Sequence, residues 1–407
     1  MNTTDLSTLS NHAINMIAIQ QVQDFLSSTY VFRYNENTHR IVYKRISNDE
    51  EFHYLSDYEF NSILKDIKMA NISCSRDLLR TVLFSDYVQK FNPFANYLNN
   101  LPDWDGTDYV SLLADSITTT DREYWLFCLR KWLVAMVASL KEEGVVNHTA
   151  IIFSGAQGIG KTRWFHSIIP SELQEFIYEG YIQTKDKETQ VKLSECILIL
   201  MDELENLSDK NIDAIKQLMT QSSIYMRRAY TTISQSYVRR ASFAGTVNKK
   251  QFLNDLTGNR RFLCFEVEHI NTQHGIPLDQ LFAQLLSLYE RGFQYWFNEE
   301  EIALVNEKNA QFRAVSVEEE ALTTFFETCN EEEASVFMQT TQIQQVLVQK
   351  TGFRSLSIQT LGHVLRDMKF ERTKRNGVYG YFLKEKQSEH LRNLNNHSNT
   401  SYPLTLL

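Results

Sequence analysis

Gly155, Gly158, Gly160, Lys161 and Thr162 lie in the stretch A-I-I-F-S-G-A-Q-G-I-G-K-T-R-W-F, residues 150–165, and fit the spacing G-x-x-x-x-G-K-[ST]. The chemistry of that spacing is the holding of a nucleoside triphosphate. Residues 155–162, with Ala156, Gln157 and Ile159 between the glycines, can wrap a polyphosphate so closely that a Cβ would collide with it, while backbone N–H groups point at the anion. Lys161 then neutralises the β- and γ-phosphates of ATP, and the Thr162 hydroxyl coordinates Mg²⁺. Some forty residues on, C-I-L-I-L-M-D-E ends in Asp202 and Glu203. Asp202 suits a metal held through water, and Glu203 a base that polarises the attacking water. A-S-F-A-G-T-V-N ends in Asn248, which can orient that water or sense the γ-phosphate. T-G-N-R-R-F carries Arg260 and Arg261, one of which can act as an arginine finger in a neighbouring subunit while the other makes a salt bridge or reaches the phosphates in cis.

These residues need an α/β frame. A β-branched and aromatic run precedes the loop and a helix follows it, and an uninterrupted apolar run such as residues 196–201 suits a central parallel strand buried on both faces. In an open α/β sheet the ligand lies beyond the carboxyl ends of the strands, which gathers Lys161, Asp202, Glu203 and Asn248 on one edge. Between the acidic pair and Asn248, the segment S-I-Y-M-R-R-A-Y-T-T-I-S-Q-S-Y-V-R-R-A-S-F predicts a β-hairpin with a basic stem. Arg227, Arg228, Arg239 and Arg240 flank a polar tip, with Tyr225, Tyr230 and Tyr237 interleaved. Such a hairpin can track a phosphate backbone and stack on exposed bases of single-stranded DNA; ion pairing between subunits is the other use for the same arginines.

The chain has 407 residues, 43% of them hydrophobic, enough for two or three domains. A net charge of -9 excludes a surface that is basic all over, so nucleic-acid contact needs a local patch such as the hairpin. Cys74, Cys128, Cys196, Cys264 and Cys329 are too scattered for a disulfide framework or a zinc site. Neither a membrane span nor a signal peptide is expected, and the expected location is the cytoplasm. Residues 1–90 predict a small α+β module, with a helix from about residue 11, a hairpin over 30–45 and two short helices. Residues 91–315 hold a helical lead-in and the nucleotide-binding core, in which the helix over 122–141 is apolar on one side. Residues 316–385 predict helix, helix and a hairpin with an Asn376-Gly377 turn, in the manner of a winged helix, and residues 386–407 a disordered tail.

The ordered set G-A-Q-G-I-G-K-T, I-L-I-L-M-D-E-L, the R-R-A-Y to Y-V-R-R-A-S-F hairpin, G-T-V-N and G-N-R-R-F resembles the virulence-associated protein E (VapE-like) family, over roughly residues 91–268. That family is similar to superfamily 3 helicases and other AAA+ ATPases of phages and mobile elements. The resemblance implies a P-loop core and a ring, expected as a hexamer, that hydrolyses ATP between subunits and works as a helicase in replication of the element. It matches residues 155–162 to Walker A, Asp202 and Glu203 to Walker B, Asn248 to sensor 1, residues 227–240 to the translocating hairpin, and Arg260 or Arg261 to the finger. The primase domain of many relatives has no counterpart in residues 1–90, so a separate primase or replication initiator is an expected partner. Two other classes compete. One is a regulatory AAA+-type ATPase acting on a protein, the other a small-molecule kinase, which would need an acceptor pocket and a lid, whereas Asn248, the distal Arg pair and the basic hairpin suit hydrolysis between subunits better.

Overall fold

In a computed structural model, the structure describes residues 11–47, 51–180, 182–183, 186–204, 209–228, 233–253 and 259–386. It forms two compact units. The first comprises Met1–Lys250 and Arg260–Lys308, and the second Gln251–Asn259 and Asn309–Leu407.

The first unit opens with α1 (Asn11–Thr29), β1 (Tyr30–Asn35), β2 (Arg40–Arg45), β3 (His53–Tyr54), α2 (Asp57–Met69), α3 (Arg76–Leu83) and β4 (Gln89–Phe91). The expected hairpin is β1–β2, with Phe32 opposite Tyr43 and Tyr34 opposite Ile41. Its sheet runs β3-β2-β1-β4, and β4 lies parallel to β1 at the edge. Residues such as Leu26, Ile63, Leu79 and Leu83 give this module a hydrophobic cluster of its own, although it belongs to the same compact unit as the core.

The core continues with α4 (Pro93–Asn99), α5 (Tyr109–Ala114), β5 (Ile117–Thr119), α6 (Arg122–Lys141), β6 (Ala150–Ser154), α7 (Lys161–Ser167), β7 (Ile177–Glu179), α8 (Lys187–Glu195), β8 (Leu198–Met201), α9 (Asp209–Leu218), β9 (Ser223–Met226), β10 (Gln235–Val238), β11 (Ser242–Val247), β12 (Phe262–Ile270), α10 (Leu278–Glu290) and α11 (Glu299–Asn309). The central sheet has the order β5-β12-β6-β11-β8-β7. β12, β6, β11, β8 and β7 are parallel, and β5 is antiparallel. β6, β8 and β11 are buried at every position, as a strand covered on both faces must be.

α6 is more deeply placed than its sequence predicts. It is not apolar on one side only: almost every residue from Tyr124 to Leu140 is buried. Burial on that scale needs partners for its polar groups. Trp125 donates to the Ala114 carbonyl, Trp132 to the Phe243 carbonyl, and the Lys131 ammonium to the carbonyls of Gln294 and Trp296 and to Glu301.

The second unit contains α12 (Val317–Phe325), β13 (Phe326–Glu327), β14 (Val336–Met338), α13 (Thr340–Thr351), α14 (Ile358–Asp367), β15 (Arg372–Arg375) and β16 (Val378–Glu385). The expected order of helix, helix and hairpin is present. Asn376 and Gly377 form the turn with φ of 50° and 85°, as a two-residue hairpin loop requires. Residues 251–259 also belong to this unit: Phe252 and Leu253 are buried, and both donate backbone N–H bonds to the Phe312 carbonyl. The boundary thus falls near residue 309 with an inserted segment, where the sequence suggested a single break after 315. The proposed tail, apart from Lys386, lies outside the described residues.

Candidate nucleotide and nucleic-acid sites

The parallel register fixes where the candidate residues meet. β11 lies between β6 and β8, so the glycine loop after β6, Asn248 after β11, and Asp202 and Glu203 after β8 follow three adjacent strands on the carboxyl edge of the sheet. The loop's glycines have distinct physical reasons. A Cβ on Gly155 would stand 2.5 Å from the carbonyl oxygen of Val267, so the collision is with β12 itself. Gly160, at φ 97°, turns the chain into α7 in a left-handed conformation that L side chains disfavour. Lys161 is buried, and its ammonium donates to the Gly155 carbonyl (2.6 Å), the Ala156 carbonyl (2.9 Å) and Oδ1 of Asn248 (3.1 Å). A cation held at the loop by carbonyl and amide oxygens can exchange them for phosphate oxygens, which fits a polyphosphate by donor chemistry. Thr162 at the start of α7 is half-buried, and Gln157, Gly158 and Ile159 complete the loop.

Asp202 and Glu203 are exposed just past β8. Glu203 has φ 51°, a region rarely used by residues other than glycine, asparagine and aspartate, and such backbone clusters at functional sites. Asp202 accepts a hydrogen bond from the Thr246 hydroxyl. Thr246 was not singled out in the sequence; its one signal was its place two residues before Asn248, on the strand that faces both motifs.

Arg260 and Arg261 occupy a short 3-10 turn at the start of β12. Phe262 is level with Ala150 and Glu266 with Ser154, so both arginines lie at the opposite end of the sheet from the loop, at least about 13 Å of strand away. That geometry removes the expectation that one of them contacts the phosphates in cis.

The basic hairpin is present as β9–β10, but its register separates the two arginine pairs. Met226 is opposite Gln235 and Ser223 opposite Val238. Arg227 and Arg228 therefore sit toward the tip, and Arg239 and Arg240 beyond the base. Three of the four are structural and not available to a nucleic acid. Arg228 is buried, ion-paired with Glu195 at 2.5 Å, bonded to the Thr38 carbonyl, and stacked on Tyr237 at 4.5 Å. Arg239 is completely buried, and donates to the carbonyls of Met219, Asn147 and Ala241. Burial pushes its pKa down to about 9. Arg240 donates to the carbonyls of Ser139 and Leu140. Tyr237 is buried too, its ring edge-on to His39 at 4.9 Å. Arg227 and Tyr225 are exposed, and Tyr230 lies outside the described residues.

The model of the virulence-associated protein E-like domain matches residues 98–314, more than half of the chain. The chain belongs to this family. The VapE-like domain thereby spans the glycine loop, the acidic pair, the hairpin and Arg261. No curated protein matches this VapE-like chain. Among solved structures it is similar to the apo structure of the NrS-1 C-terminal region (305–718), at 12% identity over 91% of this chain and 99% of that one, with a TM-score of 0.48. It is also similar to the A form apo structure of the NrS-1 C-terminal region, at 13% identity over 91% and 100%, with a TM-score of 0.45. Among the described residues, no helix is long and apolar enough to cross a membrane.

Proposed function

We propose that this VapE-like protein is an ATP-hydrolysing nucleic-acid motor, a DNA helicase acting in replication of a phage or mobile element. The observation that carries the reading is the Lys161 ammonium, held by the loop carbonyls and by Asn248 one strand from the acidic pair. In this P-loop, AAA+-like core, residues 155–162 hold the phosphates of ATP, while Thr162 and Asp202 hold Mg²⁺. Bound Mg²⁺ supplies charge neutralisation on the phosphate oxygens. Glu203 accepts a proton from the attacking water, Asn248 orients it, and the Thr246 hydroxyl fixes the rotamer of Asp202. Arg260 or Arg261 acts in trans, which agrees with their distance from the loop of their own subunit and implies a ring, by family resemblance a hexamer. The second unit is a winged-helix-like accessory domain. Arg227 with Tyr225 and Tyr230 is left as the part of the hairpin that meets single-stranded DNA, and a separate primase or initiator is the expected partner.

The test is steady-state ATP hydrolysis with and without single-stranded DNA, in the wild type, Lys161→Ala and Glu203→Gln. Stimulation by DNA that both substitutions abolish, each by about 100-fold or more, is the expected result. Burial of Arg228, Arg239 and Arg240 favours a second reading, a regulatory ATPase that acts on a protein partner without unwinding. Hydrolysis indifferent to DNA would select it.

A further inference from the structure

A cleft of about 900 Å³ opens between the N-terminal module and the β9–β10 hairpin. All four residues of β10 line it, and none of β9 does. Successive side chains of a strand point to opposite faces, so four consecutive lining residues mean that the edge of β10 is turned to the cleft. Gln89 and Lys90, two of the three residues of β4, line the other wall with Val88 just before them; adjacent residues of both faces lie against it, which turns the edge of β4 toward it. Among the described residues β10 pairs only with β9, and β4 only with β1. Both edges therefore present backbone N–H and C=O groups that no strand has taken.

A second observation points to a ligand. Asn37 lines the cleft and is only 6% exposed, yet its side-chain Nδ2 has no acceptor among the described residues. A buried donor left unmade is costly, so a turn of the Asn37 side chain toward a carbonyl entering the cleft would be favoured. The charges around the cleft narrow the choice. Glu36, Asp86 and Glu143 line it; Lys90 is 3.6 Å from Glu36, and Arg240 is committed to two backbone carbonyls. Arg240 keeps its charge and acts on Glu143, so the lining carries three carboxylates against two cations, and Asp86 makes no ion pair among the described residues; a phosphate backbone is disfavoured there and a cationic side chain favoured.

We propose that this cleft receives an extended, lysine- or arginine-bearing segment of a partner protein, which adds as a strand to the edge of β10 with β4 as the opposite wall. The proposal does not depend on the ATP reading. Its test uses the full-length protein and a fluorescein-labelled, N-acetylated octapeptide of alternating lysine and valine. Comparison probes are its glutamate–valine counterpart, the lysine peptide N-methylated at alternate residues, and an oligothymidylate. Binding is read by anisotropy and located by amide hydrogen exchange. The expected result is binding of the lysine peptide with slowed exchange at residues 235–238. N-methylation, which removes backbone donors and leaves the side chains, weakens it about tenfold or more. The double substitution Asp86→Lys, Glu143→Lys, at two exposed positions, weakens it comparably. Absence of binding, indifference to N-methylation, protection elsewhere in the chain, or protection of residues 235–238 by the oligothymidylate would each overturn the proposal.

Discussion

Thr246 holds Asp202 through its hydroxyl and touches no phosphate in the proposed mechanism, so its effect is one of positioning. Thr246→Val keeps the size and the strand preference while removing the donor. Turnover should fall about tenfold, with the melting temperature nearly unchanged and a larger loss at low Mg²⁺, as for other groups that orient a metal-binding carboxylate. His39 supplies a pH dependence of another kind. Burial, with Arg228 adding repulsion, lowers its pKa from 6.5 to about 4. The unfolded chain takes up this proton near pH 6.5, and the folded chain only near pH 4. Its contribution to stability is therefore complete above about pH 6.5 and is lost progressively as the pH falls toward 4. Thermal unfolding followed between pH 7 and 5 should show the fall, and His39→Asn should remove that part of it. Asparagine does not titrate, and it tolerates the φ of 54° at this position.

The hairpin divides its arginines by role, and substitutions should divide the same way. Arg239→Ala leaves the carbonyls of Met219, Asn147 and Ala241 without their donor inside the core, and should cost ~3 kcal/mol or more in chemical denaturation. Arg227→Ala should leave stability within about 0.5 kcal/mol and instead weaken binding to single-stranded DNA and its salt dependence. The existence of β9–β10 was legible because two runs of β-forming residues flank a polar tip. The fate of the arginines was not. An Arg pair reads as surface charge in any local window, whereas burial of Arg239 depends on Asn147, far away in sequence, and that of Arg228 on Thr38 in another module. The carboxyl edge was readable for the opposite reason. Gly155, Gly160 and Lys161 are set by spacing within eight residues, and the apolar runs before Asp202 and Asn248 announce buried parallel strands without any knowledge of their neighbours. The depth of α6 was hidden because its Lys131 looks like a solvated face until Glu301 and two carbonyls surround it.

For the whole molecule, the separation of Arg260 and Arg261 from the glycine loop makes a prediction about mixing. Lys161→Ala and a double Arg260→Ala, Arg261→Ala variant should each be inactive alone, yet regain hydrolysis when combined. An intact loop from one then faces intact arginines from the other. If the arginines served their own subunit, mixing would restore nothing. The helix, helix and hairpin of the second unit were readable from local pattern, because periodic apolar positions and the Asn376-Gly377 turn are set within short windows. The inserted segment was not, because Phe252 and Leu253 become meaningful only beside Phe312. That segment lies between Asn248 and Arg260, the two residues proposed to sense and to complete the nucleotide site. A cut at residue 309 would strip Phe252 and Leu253 of their cover, so the C-terminal unit is no detachable cassette. Recombination between relatives has to carry breakpoints at 251, 260 and 309 together, and the two units are accordingly expected to be inherited as one block instead of being shuffled.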